Sequence, residues 1–181
     1  MRLNETPTVG HDWGAAVAWF TATTHPNRVH KLVVLSVPHP LAPRTPRQRE
    51  IAWYQLFFQF EGIAEAAARR LGTFPGVAQR QRRCRSLHLG SVTARCSALL
   101  NWYRANLPPR MPGSPPNLPL VKAPTLGVWS TNDHYLDRER MKVSGSFVKG
   151  PWHYKQIDDA SHWIPLDASD RLNQLLIEWL G

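Results

Sequence analysis

Five residues concentrate the chemistry open to this chain: Gly10-His11-Asp12-Trp13-Gly14. An ionisable side chain stands with a glycine two residues before it and another two after. That is the small-X-nucleophile-X-small spacing of a sharp strand-to-helix turn. The tip residue is forced into a strained backbone conformation, so its neighbours must lack bulk. A carboxylate at the tip, rather than Ser or Cys, points away from ester cleavage. It points toward attack on an alkylating carbon such as an epoxide or an alkyl halide. The plainer use of an Asp in front of a helix is an N-cap, and that alternative stands beside the first.

Gly-His-Asp-Trp-Gly resembles the elbow of the soluble epoxide hydrolases and of the related haloalkane dehalogenases, both of the α/β-hydrolase fold family. The likeness continues through Pro26-Asn27-Arg28-Val29 and Lys31–Pro40, similar to that family's next helix end, strand and cap entrance. Pro124–Asp133 looks like the strand that delivers the acid, and Ala160-Ser161-His162-Trp163 like the loop that delivers the base. The resemblance covers residues 8–62 and 98–181 and fades between them.

The resemblance assigns roles. Asp12 is the nucleophile, forming a covalent ester that splits one hard hydrolysis into two easier steps. His162 is the general base that activates water against the ester. Asp133 orients it and stabilises its imidazolium, with Asp137 a weaker alternative acid. The order nucleophile, acid, base is that of the fold family. Asp133 also suits a turn, since Thr-Asn-Asp is good turn chemistry, and a loop or core position is the plainer reading of most of the eight histidines. Tyr54, in Trp53–Gln59, and Tyr103, in Leu100–Asn106, stand in contexts like the family's cap tyrosines. Their phenols would hydrogen-bond the epoxide oxygen and assist ring opening. The alternative for both is packing with wetted hydroxyls. The backbone N–H of Trp13 would serve the oxyanion hole. The family's second donor, from an upstream His-Gly-X-Pro loop, has no counterpart, because only nine residues precede Gly10.

The reaction implied is hydrolysis of an epoxide to a vicinal diol, with a small-molecule epoxide and water as partners. The resemblance implies no cofactor and no metal. Two rivals remain: a haloalkane dehalogenase-type hydrolase, with Trp13 as a halide donor, and an inactive truncated chain of the same family.

These residues need elements to hold them. Thr6–His11 reads as a strand and Trp13–Thr24 as a helix ended by Pro26. Lys31–Val37 is an apolar, β-branched run suited to a buried parallel strand. Prolines 38, 40, 43 and 46 then break regular structure. Arg47–Gly62 and Ala98–Ala105 read as helices, and six prolines between Pro108 and Pro119 form a linker. Thr125–Ser130 and His153–Ile157 follow as strands. Asp167–Leu180 closes as an amphipathic helix with Asp167 as N-cap and Leu172, Leu175, Leu176 and Trp179 on one side. This order is α/β: an α/β-hydrolase fold lacking its leading strands, a parallel sheet with a helical cap insertion. The core is placed at residues 1–40 and 120–181, and the cap at 41–119.

The net charge of +9 is uneven. Residues 66–132 carry nine Arg and one Lys and no Asp or Glu, while the remainder is close to neutral. Between Arg80 and Arg95 no aromatics interleave the basic residues, so a nucleic-acid partner is not expected. Cys84 and Cys96 lack CxxC spacing and read as ordinary thiols. No HExxH or similar metal spacing occurs, and no apolar run approaches membrane-spanning length. With no apolar signal core after Met1, a cytoplasmic protein that binds no membrane is expected, of unknown oligomeric state. The Arg-rich segment 66–97 matches the family's cap poorly and is flanked by good matches, as after a local reading-frame shift. One of the two other frames across the codons for Ala66–Ser97 should then encode a cap-like sequence; if neither does, the shift is refuted.

Overall fold

The computed structural model describes residues 6–71, 92–107 and 117–181. In chain order its elements are β1 (Thr6–His11), α1 (Trp13–Thr24), β2 (Val29–Leu35), α2 (Pro46–Ile51), α3 (Trp53–Phe57), α4 (Ile63–Leu71), α5 (Val92–Asn106), β3 (Thr125–Asn132), α6 (Arg138–Val143), β4 (Trp152–Ser161), α7 (Ile164–Asp167) and α8 (Ser169–Leu180). A short 3-10 turn, Ser144–Phe147, follows α6. Two compact units form: Met1–Gln48 with Pro115–Gly181, and Arg49–Ser114.

The first unit is built on a parallel sheet in the order β1-β2-β3-β4. The apolar run of β2 lacks polar alternation, as a strand covered on both faces should. Leu32 and Val34 pack with Ala15, Ala18, Trp19 and Ala22 of α1. Val33 and Leu35 pack with Leu126, Val128, Ile157, Ile164 and Leu172 on the opposite face. Leu175, Leu176 and Trp179 of α8 join that second cluster, as their spacing predicts. Trp19 is fully buried, and its indole N–H donates to the Val37 carbonyl at 3.0 Å. Helix α1 thereby holds the chain as it leaves β2.

Several boundaries move for identifiable reasons. β2 ends at Leu35 rather than Val37 because Ser36 adopts φ 67° and the Val37 N–H turns back to the Leu35 carbonyl. β4 runs on from Ile157 to Ser161 because its ladder with β3 reaches Asn132. Its polar end carries no hydrophobic signal. Asp167 does not cap α8: it ends α7, and its carboxylate accepts from the N–H and hydroxyl of Ser161. The single helix expected over Arg47–Gly62 is instead α2, α3 and a turn.

The second unit has its own core of Phe58, Ala64, Ala68 and Leu100, with Tyr54, Phe57 and Tyr103 packed against it. Gly62 takes φ 77°, and its N–H donates to Glu65 Oε2 at 2.8 Å, which starts α4. Glu65 also receives a two-pronged Arg104 guanidinium at 2.7 and 3.2 Å, joining α4 to α5. That bond outweighs the Glu65 desolvation and lowers its pKa to about 2. Most of the Arg-rich stretch, with Cys84, lies outside the described residues. Among the described residues no helix is long and apolar enough to cross a membrane.

The turn after β1 is closely packed against the start of α1. A Cβ at Gly10 would lie 2.7 Å from the N and Cα of Ala15 and against the Gly14 carbonyl oxygen, all backbone atoms. At Gly14 a Cβ would meet nothing within 4 Å. The steric demand inferred from the motif therefore falls on Gly10 alone. Gly10→Ala is expected to lower unfolding stability by about 1–3 kcal/mol, whereas Gly14→Ala stays within about 0.5 kcal/mol. Denaturant titration of both variants decides this, and equal losses would refute it.

Candidate active site

Three chain reversals at the C-terminal ends of strands build the site. Asp12 follows β1, Asp133 follows β3 and His162 follows β4. Parallel α/β sheets present their ligand crevices at that end. Asp12 takes φ 53° and ψ −125°. Its carbonyl accepts from Ala15 and Ala16 N–H at 2.9 and 3.2 Å, so its backbone starts α1. Its carboxylate makes no capping hydrogen bond, which sets the N-cap alternative aside. The side chain is 36 % exposed and faces His162 instead.

His162 lies between two carboxylates. Its Nδ1–H donates to Asp133 Oδ2 at 2.8 Å, and its Nε2 faces Asp12 Oδ1 at 3.5 Å. The imidazole is 5 % exposed and the Asp133 side chain fully buried. Asp133 Oδ1 accepts from the N–H groups of Tyr135 and Leu136 at 2.8 and 3.1 Å, so both carboxylate oxygens are engaged. Burial pushes the His162 pKa down, but hydrogen bonds to Asp12 and Asp133 and their charges more than reverse this. The result is about 9. Burial likewise pushes Asp12 up, and His162 outweighs it, leaving the carboxyl below its ordinary value; the N–H of Trp13 contributes in the same direction. Both shifts favour an imidazolium facing an ionised Asp12 at neutral pH.

Asp137 is placed differently. It caps α6, accepting from Glu139 N–H at 3.3 Å, and its other oxygen accepts from the Thr45 hydroxyl. The Asp137 N–H donates to Gln48 Oε1 at 3.0 Å, and Gln48 Nε2 donates to the Tyr135 carbonyl at 3.1 Å. This buried network pins the loop that carries Asp133, and Asp133 is the carboxylate beside His162.

Tyr54 and Tyr103 belong to the second unit. Their rings meet edge to face with centroids 6.1 Å apart, and both contact Phe58. The Tyr54 hydroxyl accepts from Gln55 Nε2 at 3.4 Å. Three residues around His162 were not singled out for a role from the sequence: His11, Ser36 and Tyr135. His11 Nε2–H and Ser36 Oγ–H donate to the His162 carbonyl, and the Tyr135 ring stands edge-on to the imidazole at 5.3 Å. His11 and Tyr135 lie within two residues of Asp12 and Asp133, and that adjacency is the signal that could have found them. Among the described residues no group of three His, Cys, Asp or Glu side chains could hold a metal ion.

A carboxylate on a strained strand-to-helix tip, met by a His–Asp pair from later strands of a parallel sheet, is the plan of an α/β-hydrolase. The chain belongs to the alpha/beta hydrolase fold family, whose model matches residues 4–169. It is 31 % identical over 189 residues to the AB hydrolase superfamily protein YfhM of Bacillus subtilis (strain 168), covering 95 % of this chain and 64 % of that protein. It is 28 % identical over 201 residues to epoxide hydrolase 2 of Caenorhabditis elegans, covering 100 % of this chain and 56 % of that one. A solved structure from work on novel epoxide hydrolases in metagenomes from hot environments superposes with a TM-score of 0.79 at 26 % identity, over 99 % of this chain and 68 % of that one. The chain thus spans less than two thirds of the length of both curated relatives.

The raised pKa of His162 ties stability to pH. Its folded value, about 9, exceeds an unfolded value of about 6.5. Its contribution is therefore complete below about pH 6.5 and is lost as pH rises through 9. Relative to His162→Gln, the wild-type chain is expected to lose on the order of 3 kcal/mol of stability between pH 6 and 10. Denaturation curves across that range test the sign, and parallel pH profiles would contradict it.

Proposed function

We propose that this chain hydrolyses an epoxide to a vicinal diol through an ester on Asp12. The observation that carries the proposal is the pair of contacts made by one buried imidazole, to Asp133 on one nitrogen and to the tip carboxylate Asp12 on the other. Similarity to epoxide hydrolases supports the substrate class.

In the first step an Asp12 carboxylate oxygen attacks an epoxide carbon. The carbon–oxygen bond breaks, and the oxygen takes a proton from Tyr54 or Tyr103. Acid help matters because an alkoxide is a poor leaving group. Asp12 suits the attack because it is ionised at neutral pH and its carboxylate is not spent on capping.

Forming the ester removes the Asp12 charge, one of the two that hold His162 protonated. The imidazole then loses its proton more readily, a proton returns to the tyrosinate left by ring opening, and neutral His162 takes a proton from water. The resulting hydroxide attacks the ester carbonyl carbon of Asp12. The Trp13 N–H stabilises the oxyanion; collapse expels the alkoxide, which takes the proton of the new Asp12 carboxyl, so that the diol leaves and the carboxylate and the imidazolium are restored. Asp133 keeps the ring in the Nδ1–H tautomer and stabilises its charged form.

Incubation of the full chain with a simple aryl epoxide should yield diol. Asp12→Asn should reduce the rate by at least about 10³-fold. His162→Gln should accumulate a protein adduct heavier by the mass of the epoxide. Tyr54→Phe and Tyr103→Phe should each slow adduct formation by about 10²-fold. Halide release from alkyl halides without diol formation would replace the proposal with dehalogenation. Absence of turnover in every variant and the wild type would leave an inactive chain.

A further inference from the structure

The base reaches the nucleophile from the far side of the sheet. β4, which leads to His162, is three strand positions from β1, which leads to Asp12. At the usual strand spacing that is about 14 Å. No sheet ladder spans that gap, so the loop carrying His162 has to be held over the strand ends by other bonds.

Two such bonds to the strands that bear Asp12 meet at one backbone atom. The carbonyl oxygen of His162 accepts from His11 Nε2–H at 2.8 Å and from Ser36 Oγ–H at 3.3 Å. A carbonyl oxygen has two lone pairs, and both find a donor here. The donors come from the ends of β1 and β2, the side of the sheet that bears Asp12. We propose that His11 and Ser36 are positioning residues that hold the His162 main chain so that its ring stands between Asp12 and Asp133.

Each donor is itself constrained. Ser36 is fully buried, with φ 67° and its own N–H donated to the Val128 carbonyl at 2.9 Å. Its hydroxyl therefore projects from a fixed backbone. His11 shares its backbone with the strained tip and stacks obliquely on His162 at 5.0 Å and on Trp163 at 5.7 Å. A carbonyl only accepts, so the proton of neutral His11 resides on Nε2. Burial lowers the His11 pKa, which keeps a second cation away from the imidazolium. A packing role alone would require the ring of His11 but not its donor, and would require nothing of the Ser36 hydroxyl.

The inference rests on His162 acting as base, yet its position can be read without turnover. The full chain, with histidines labelled with nitrogen-15, is titrated by NMR as wild type, His11→Phe, His11→Asn and Ser36→Ala. The titratable groups facing the His162 ring in the first unit are Asp12, Asp133, His11 and Tyr135. His11→Phe keeps a ring and removes the donor. It should lower the His162 midpoint by about one pH unit and slow ester hydrolysis by about tenfold, with ester formation within about twofold of wild type. His11→Asn, which restores an N–H donor, should recover part of both losses. Ser36→Ala should shift both in the same direction by less. A His162 midpoint unchanged in His11→Phe and Ser36→Ala overturns the proposal. So does a His11→Asn variant no better than His11→Phe. If His11→Phe does not fold, His11→Asn and Ser36→Ala decide by the same midpoints. A wild-type chain that makes no diol sinks the epoxide reading, and the titration still decides the positioning.

Discussion

His162 is buried between two carboxylates, and that placement governs much of the first unit. Removing an imidazolium from water is costly unless its partners are close and are themselves held in place. Asp133 meets the requirement: one oxygen bonds His162 and the other accepts two backbone N–H groups. Asp12 meets it differently. It stays partly exposed, and its orientation comes from a backbone conformation that few residues adopt, φ 53°. One carboxylate is thus fixed by hydrogen bonds and the other by strain. This division suits the roles proposed for the two, Asp12 as nucleophile and Asp133 as the partner that orients the base.

Strain has to be held by surrounding structure. Asp12 and Ser36, at the ends of adjacent strands, both have positive φ without being glycine. The restraint lies directly behind them. Gly10 lets α1 approach β1 backbone to backbone, and Trp19 fills the space between α1 and β2 while bonding the Val37 carbonyl. β2 is packed on both faces, so neither turn can relax without disturbing a core cluster. The network of Thr45, Gln48 and Asp137 does the same for the loop that carries Asp133.

The second unit follows separate rules. Among the described residues its core is small and aromatic, and the Glu65–Arg104 fork joins α4 to α5. Glu65 has two tasks, since it also takes the Gly62 N–H that opens α4. Tyr54 and Tyr103 are mutual neighbours in that core, which gives each phenol ring a fixed setting.

What the sequence by itself determined was the part governed by local spacing. Gly10 and Asp12 announce a strained turn, because few other residue sets fit one. The apolar, β-branched run of β2, bounded by turn residues, announces a doubly covered strand. The repeat of Leu172, Leu175, Leu176 and Trp179 announces the buried face of α8. Local reasoning failed where a side chain had two uses and a distant partner chose between them. Asp167 looks like an N-cap, but Ser161 claims its carboxylate. Asp137 and Asp133 are both acids after the same strand, and only packing against Thr45 and Gln48 shows that Asp137 is occupied elsewhere. Gly14 and Gly10 look equivalent in the motif, yet only Gly10 has a helix backbone against it. The bond from His11 to the His162 carbonyl joins residues 151 positions apart. No periodicity encodes such a contact, and it exists only once the parallel sheet brings the C-terminal ends of β1 and β4 to the same end of the sheet.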